Sequence, residues 1–185
     1  NSVEVIKSDL LFVFTKNYDN LDNIIKKIVE TAFDVKGLNS IVLKPHPTTT
    51  LSIIERIITD ISVPPNKTIN ISEENSAFLA NNSKLVLSYA TSASYDAKVF
   101  GKYLINYYDI PKKSVDKYRG SAMSDIPDFW LMESSVLSDF LSDEICYGVT
   151  QLKHSLKTFF SSLNSKSELK SEIKSDSKSL INHFV

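Results

Sequence analysis

The stretch Ser88-Tyr-Ala-Thr-Ser-Ala-Ser-Tyr-Asp-Ala-Lys-Val-Phe-Gly-Lys102 decides the fold. It leaves the short apolar run Lys84-Leu-Val-Leu-Ser88 and passes through the hydroxyls of Thr91, Ser92 and Ser94. It then enters a segment where Ala93, Ala97 and Phe100 recur at helical spacing before Gly101. The next apolar run, Lys102-Tyr-Leu-Ile-Asn-Tyr-Tyr108, follows at once. Strand, turn, helix and strand in this order make one βαβ unit.

The same unit can be traced upstream. Asp9-Leu-Leu-Phe-Val-Phe-Thr15 is a continuous apolar run, as expected of a strand covered on both faces. Asp19 or Asn20 can cap the helix after it, whose stripe is Leu21, Ile24, Ile25, Ile28 and Ala32, with Gly37 as a stop. Ser40-Ile-Val-Leu-Lys44 is a second strand, ended by Pro45 and Pro47. Thr48 to Thr50 can cap a helix carrying Ile54, Ile57, Ile58 and Ile61. Lys67-Thr-Ile-Asn-Ile71 is a third strand, and Ser72-Glu-Glu-Asn75 offers a cap for a short helix through Phe78 and Leu79. Five strands alternating with helices predict an α/β fold: a Rossmann-like open parallel sheet with helices on both faces, plus C-terminal helices. Ligands of such sheets gather at the carboxyl ends of the strands, near the switch in strand order.

The expected organisation is a Rossmann-like core over 1–110, a loop and helical region over 111–163 packing on it, and a polar helix or tail over 164–185. Residues 114–127 read as a polar loop, and Phe129-Trp130-Leu131-Met132 as a cluster that packs, or forms a lid or interdomain contact. Val149, Leu152, Leu156, Phe159 and Leu163 predict a helix from about Gly148.

Composition narrows the function. Of 185 residues, 21 are basic and 22 acidic, for a net charge of −1, so nothing global favours nucleic acid and any anion site must be local. The lone Cys146 excludes an internal disulfide and a cysteine-based zinc site, which suits a reducing compartment. His154 and His183 lack metal-ligand partners at a useful spacing, so no metal site is expected. The longest apolar runs are far below the roughly 20 residues that span a bilayer. The chain begins at Asn1 without Met or a signal-like apolar region, which suggests an excised part of a longer protein.

Two turns could carry chemistry. Lys44-Pro45-His46-Pro47 holds a basic side chain and an imidazole where flanking prolines restrict the backbone. His46 could donate to a phosphate oxygen and Lys44 could add charge; the plain alternative is a strand-terminating proline turn. Thr91, Ser92 and Ser94 open a helix, where amides and hydroxyls favour an anion, the alternative being an ordinary N-cap. The turn lacks the glycines of a dinucleotide-binding or P-loop motif. Glu73 and Glu74 could approach a ribose or base, or simply sit at a solvated helix start.

Together, the strand ending in Lys-Pro-His-Pro and the later strand, Ser/Thr cluster and helix with Asp96-Ala97 and Gly101-Lys102 resemble the donor-binding half of GT-B glycosyltransferases. The likeness is to bacterial enzymes of capsule and lipopolysaccharide synthesis that use CMP-sialic acid or CMP-Kdo, with their HP and Ser/Ser-Thr motifs, and covers roughly residues 9 to 108. It implies that His46, and Ser92 with Thr91 or Ser94, hold the donor phosphate, His46 acting as the catalytic residue. Asp96 stands where related donor domains often carry Glu, as a base or ribose contact. The resemblance further implies a CMP-sugar as substrate with no tightly bound cofactor. A glycan acceptor and general base would come from a missing N-terminal domain, and the enzyme would be cytoplasmic and peripheral to the inner face of the membrane. A CDP-polyol or UDP-sugar enzyme and a non-catalytic Rossmann-like binding module remain alternatives.

Overall fold

The computed structural model describes residues 7–15, 20–89, 91–119 and 138–181. The Phe129-Trp130 cluster, Asp19 and His183 lie outside them. The elements run β1 (Ser8–Phe14), α1 (Leu21–Phe33), β2 (Ser40–Lys44), α2 (Leu51–Thr59), β3 (Thr68–Ile71), α3 (Ser76–Asn81) and β4 (Ser83–Tyr89). They continue through α4 (Ser94–Val99), β5 (Tyr103–Tyr108), α5 (Lys112–Arg119), β6 (Glu144–Tyr147) and α6 (Val149–Ile181).

The six strands form one parallel sheet in the order β3-β2-β1-β4-β5-β6. From β1 the chain builds outward in one direction through β2 and β3, then returns to place β4 on the other side of β1. Crossovers of one hand in opposite directions put their helices on opposite faces. The core divides accordingly. Leu10, Phe12 and Phe14 of β1 pack with the buried stripes of α1, α2 and α6, whereas Leu11 and Val13 pack with Leu79 and Ala80 of α3 and Ala97 of α4. Every residue of β1 is buried, as the apolar run from Leu10 to Phe14 requires of a central strand. The result is a Rossmann-like α/β fold.

Several local expectations are revised. A sixth strand, β6, extends the sheet beyond residue 110, so the core is not confined to 1–110. Residues 112–119 form α5 rather than a loop, started by Pro111, whose carbonyl accepts from the Ser114 and Val115 amides. Phe100 does not join the buried face of α4: it is 40% exposed, because α4 ends at Val99. Asn75 bonds as a cap, its side chain accepting from the Ala77 amide at 2.8 Å, while Asn20 and Thr50 make no side-chain cap bond. The polar segment after 164 continues α6 to Ile181.

The opposite, amino-terminal edge of the sheet is pinned by Asp9. One carboxylate oxygen accepts from the amides of Asn39 (2.7 Å) and Ser40 (3.1 Å), and the other meets Lys84 at 2.7 Å. Burial alone would raise the Asp9 pKa, yet Lys84 and the two amides hold it below the ordinary carboxylate value.

Candidate functional site

All six strands point the same way, so every loop that follows a strand opens on one edge. The register fixes how the two candidate turns sit there: Val13 of β1 pairs with Lys44 on one side and with Ser88 on the other. The two turns therefore start level with each other, flanking β1, about 10 Å apart by strand spacing. The β1–β4 junction is also where the strand order reverses, the usual ligand crevice of such sheets.

In the turn after β2, the His46 carbonyl accepts from the Thr49 amide at 2.8 Å, with Pro47 inside the turn, where its fixed φ is favoured. The half-buried imidazole closes back on this turn. Its Nδ1 accepts from the Thr48 amide at 3.2 Å and lies 2.9 Å from the Thr48 hydroxyl. Since Nδ1 is the acceptor, the neutral ring carries its proton on Nε2, which makes Nε2 the donor a phosphate oxygen would need. Two residues along from His46's neighbour Pro47, Thr49 is buried, and its hydroxyl has no partner among the described residues.

Lys44 reaches sideways rather than across β1, donating to the Glu73 carbonyl at 3.1 Å and so tying the end of β2 to that of β3. Burial pushes its pKa down, and the Glu73 and Glu74 carboxylates offset part of that effect. Glu73 and Glu74 themselves are exposed.

The hydroxyls after β4 divide into two groups. Ser92 is exposed, whereas Thr91 is 9% exposed and Ser94 fully buried. Thr91 Oγ1 accepts from the Ala93 amide at 3.3 Å, a loose tie, and Ser94 turns its hydroxyl back onto the Thr91 carbonyl at 3.1 Å. The Asp96 carboxylate accepts from the Ser76 hydroxyl, joining α4 to α3. Of the sequence candidates, His46 and Ser92 thus lie in turns that open on the edge either side of β1, while Ser94 and Asp96 bond to the Thr91 carbonyl and the Ser76 hydroxyl.

The sequence reading missed Ser138 and Asp139. Ser138, fully buried, donates to the Thr91 carbonyl at 2.8 Å and lies 3.0 Å from the Ser94 hydroxyl. Asp139 accepts from the Asn106 side-chain amide at 2.6 Å and from the Tyr108 hydroxyl at 2.9 Å. Only the polar pair before Phe140-Leu141 marks these residues in the sequence, and nothing in it indicates a partner 47 residues away.

Two grooves lie elsewhere. One of about 240 Å³ is lined by Asp22, Asn23, Lys26, Arg56, Ile57 and Asp60, and one of about 400 Å³ by Thr31, Val149, Thr150, Lys153, His154 and Lys157. Neither contains a sequence-predicted site residue. Among the described residues no three His, Cys, Asp or Glu side chains group as metal ligands, and no helix is long and apolar enough to cross a membrane. Compared with known proteins, the chain matches no family model and no curated protein.

Proposed function

We propose that this chain is the donor-binding half of a GT-B-type glycosyltransferase that uses a CMP-activated sugar. The observation that carries the reading is the register: the turns after β2 and β4 begin level with each other on one sheet edge, either side of β1 at the switch in strand order. In this reading His46 and Ser92, a few residues past those strand ends, flank one bound nucleotide.

In this reading the cytidine lies across the strand ends and its phosphate between the two turns. As the bond from the anomeric carbon to the phosphate oxygen breaks, charge builds on the departing CMP. The Nε2–H of His46 donates to a phosphate oxygen, and the Ser92 hydroxyl and nearby amides add donors. Lys44, held on the Glu73 carbonyl, contributes charge to the rim rather than a direct contact. The acceptor oxygen forms the new bond and passes its proton to a base on a separate acceptor domain. Ser94 and Asp96 support the turn instead of touching the donor.

Calorimetric titration with CMP, CDP and UDP tests the proposal. CMP binding in preference to the other two is the expected outcome. Preference for CDP or UDP points to the related nucleotide enzymes, and no binding of any of the three leaves a non-catalytic module.

A further inference from the structure

The geometry points to Ser138 and Asp139 as positioning residues that hold the Thr91–Ser94 turn in its ligand-ready shape from behind. Within the turn the Tyr95 amide donates to the Ser92 carbonyl at 3.0 Å, but the Ser94 amide reaches the Thr91 carbonyl only at 3.5 Å. Helix α4 is six residues long with no side-chain cap bond at its start, and the Thr91 hydroxyl reaches the Ala93 amide only at 3.3 Å. The shorter bonds to the Thr91 carbonyl come from a pair of buried hydroxyls, Ser94 at 3.1 Å and Ser138 at 2.8 Å.

Ser138 is in turn locked by its neighbour. Asp139 takes one donor from each of two β5 residues, Asn106 and Tyr108, so the backbone at 138–139 cannot shift without breaking both bonds. Four residues on, Asp143 accepts from the Leu104 amide at 2.8 Å and pairs with Lys98 of α4 at 2.7 Å. Residues 138–143 are thus clamped between α4 and β5.

Ser88, Ser94, Ser138 and Asn106 are all fully buried. Apolar residues of similar size could fill these positions without the desolvation cost of polar groups, so the hydroxyls set geometry rather than bulk stability. Their effect is to fix where the Ser92 amide and hydroxyl lie relative to His46. This deepens the nucleotide reading of the same edge and rests on it for the ligand measurement alone.

The test compares wild type, Ser138→Ala, Asp139→Asn and Phe159→Leu, the last a mild packing change on the opposite face. Amide exchange is followed by mass spectrometry across residues 91–95, and CMP affinity by calorimetry. In Ser138→Ala, exchange at 91–95 should rise and CMP should bind about tenfold more weakly, the scale of one lost hydrogen bond. Phe159→Leu should lower thermal stability while leaving both local readings at wild-type values. Asp139→Asn, which keeps one acceptor and loses the other, should show the same changes to a smaller degree, and it carries the test if Ser138→Ala does not fold. Unchanged exchange at 91–95 in the serine and aspartate variants, or an equal rise in Phe159→Leu, overturns the assignment. If wild type binds no CMP, the nucleotide reading fails, and the exchange comparison still decides the positioning role.

Discussion

Replacing Asp9 by alanine removes the acceptor for two backbone amides and the partner of one lysine, and the structure separates these contributions. The amides of Asn39 and Ser40 lose hydrogen bonds of 2.7 and 3.1 Å to a carboxylate that is itself 7% exposed as a residue. A buried donor left without a partner costs about 1–3 kcal/mol. Asn39 is exposed and Ser40 half-buried, so water can partly replace the carboxylate and the low end applies. The two amides together should cost about 2–3 kcal/mol. Lys84 behaves differently: its side chain is 57% exposed, and an ion pair in that setting contributes about 0–1 kcal/mol. Urea unfolding followed by circular dichroism should therefore place Asp9→Ala well below Lys84→Ala in midpoint, at unchanged slope. Equal losses in the two variants would refute the argument, since the ion pair and not the amides would then hold this edge. The pH dependence has a definite sign. A folded-state pKa held below the unfolded value gives stability that is complete above about pH 4 and is lost as pH falls through the folded value. Asp9→Ala should show a shallower loss in that acid window.

Two further outcomes follow from local geometry. Gly37 has φ +89°, and a Cβ there would lie 3.2 Å from the Asn164 side-chain nitrogen, so Gly37→Ala should lose roughly 1 kcal/mol or more, read as a lower thermal midpoint. Cys146 is fully buried, and burial pushes its thiol up to about 11, so a thiol reagent at pH 8 should label the native protein far more slowly than the urea-unfolded chain; comparable rates would contradict its burial.

The first five strands are legible because each is a short apolar run between turn residues, and β1 most of all because it is buried on both faces. Strand β6 escapes notice: it is four residues at the sheet edge, with Cys146 its only buried side chain. Helix α5 is similarly hidden, since among its described side chains Val115 alone is buried and the others are polar. The two candidate turns could be located from chain order alone, and a parallel sheet necessarily brings them to one edge. What the sequence could not convey is direction. Ser92 and Ser94 are equivalent as letters, yet one is exposed and the other is turned onto the Thr91 carbonyl. Asp96 accepts from the Ser76 hydroxyl, an interaction set by how α3 and α4 pack and invisible in the sequence. Ser138 was beyond reach for the same reason: its role depends on a contact across 47 residues, which no periodicity encodes.

Comparing CMP with cytidine isolates the phosphate proposed to lie between His46 and Ser92. Dissociation constants for both ligands should be measured by calorimetry on wild type and His46→Ala. CMP should bind wild type more tightly than cytidine does, and His46→Ala should weaken CMP by about tenfold or more, as expected for a hydrogen bond to a charged group, while cytidine is little changed. Equal weakening of both ligands, or CMP binding that His46→Ala leaves untouched, would contradict the proposal.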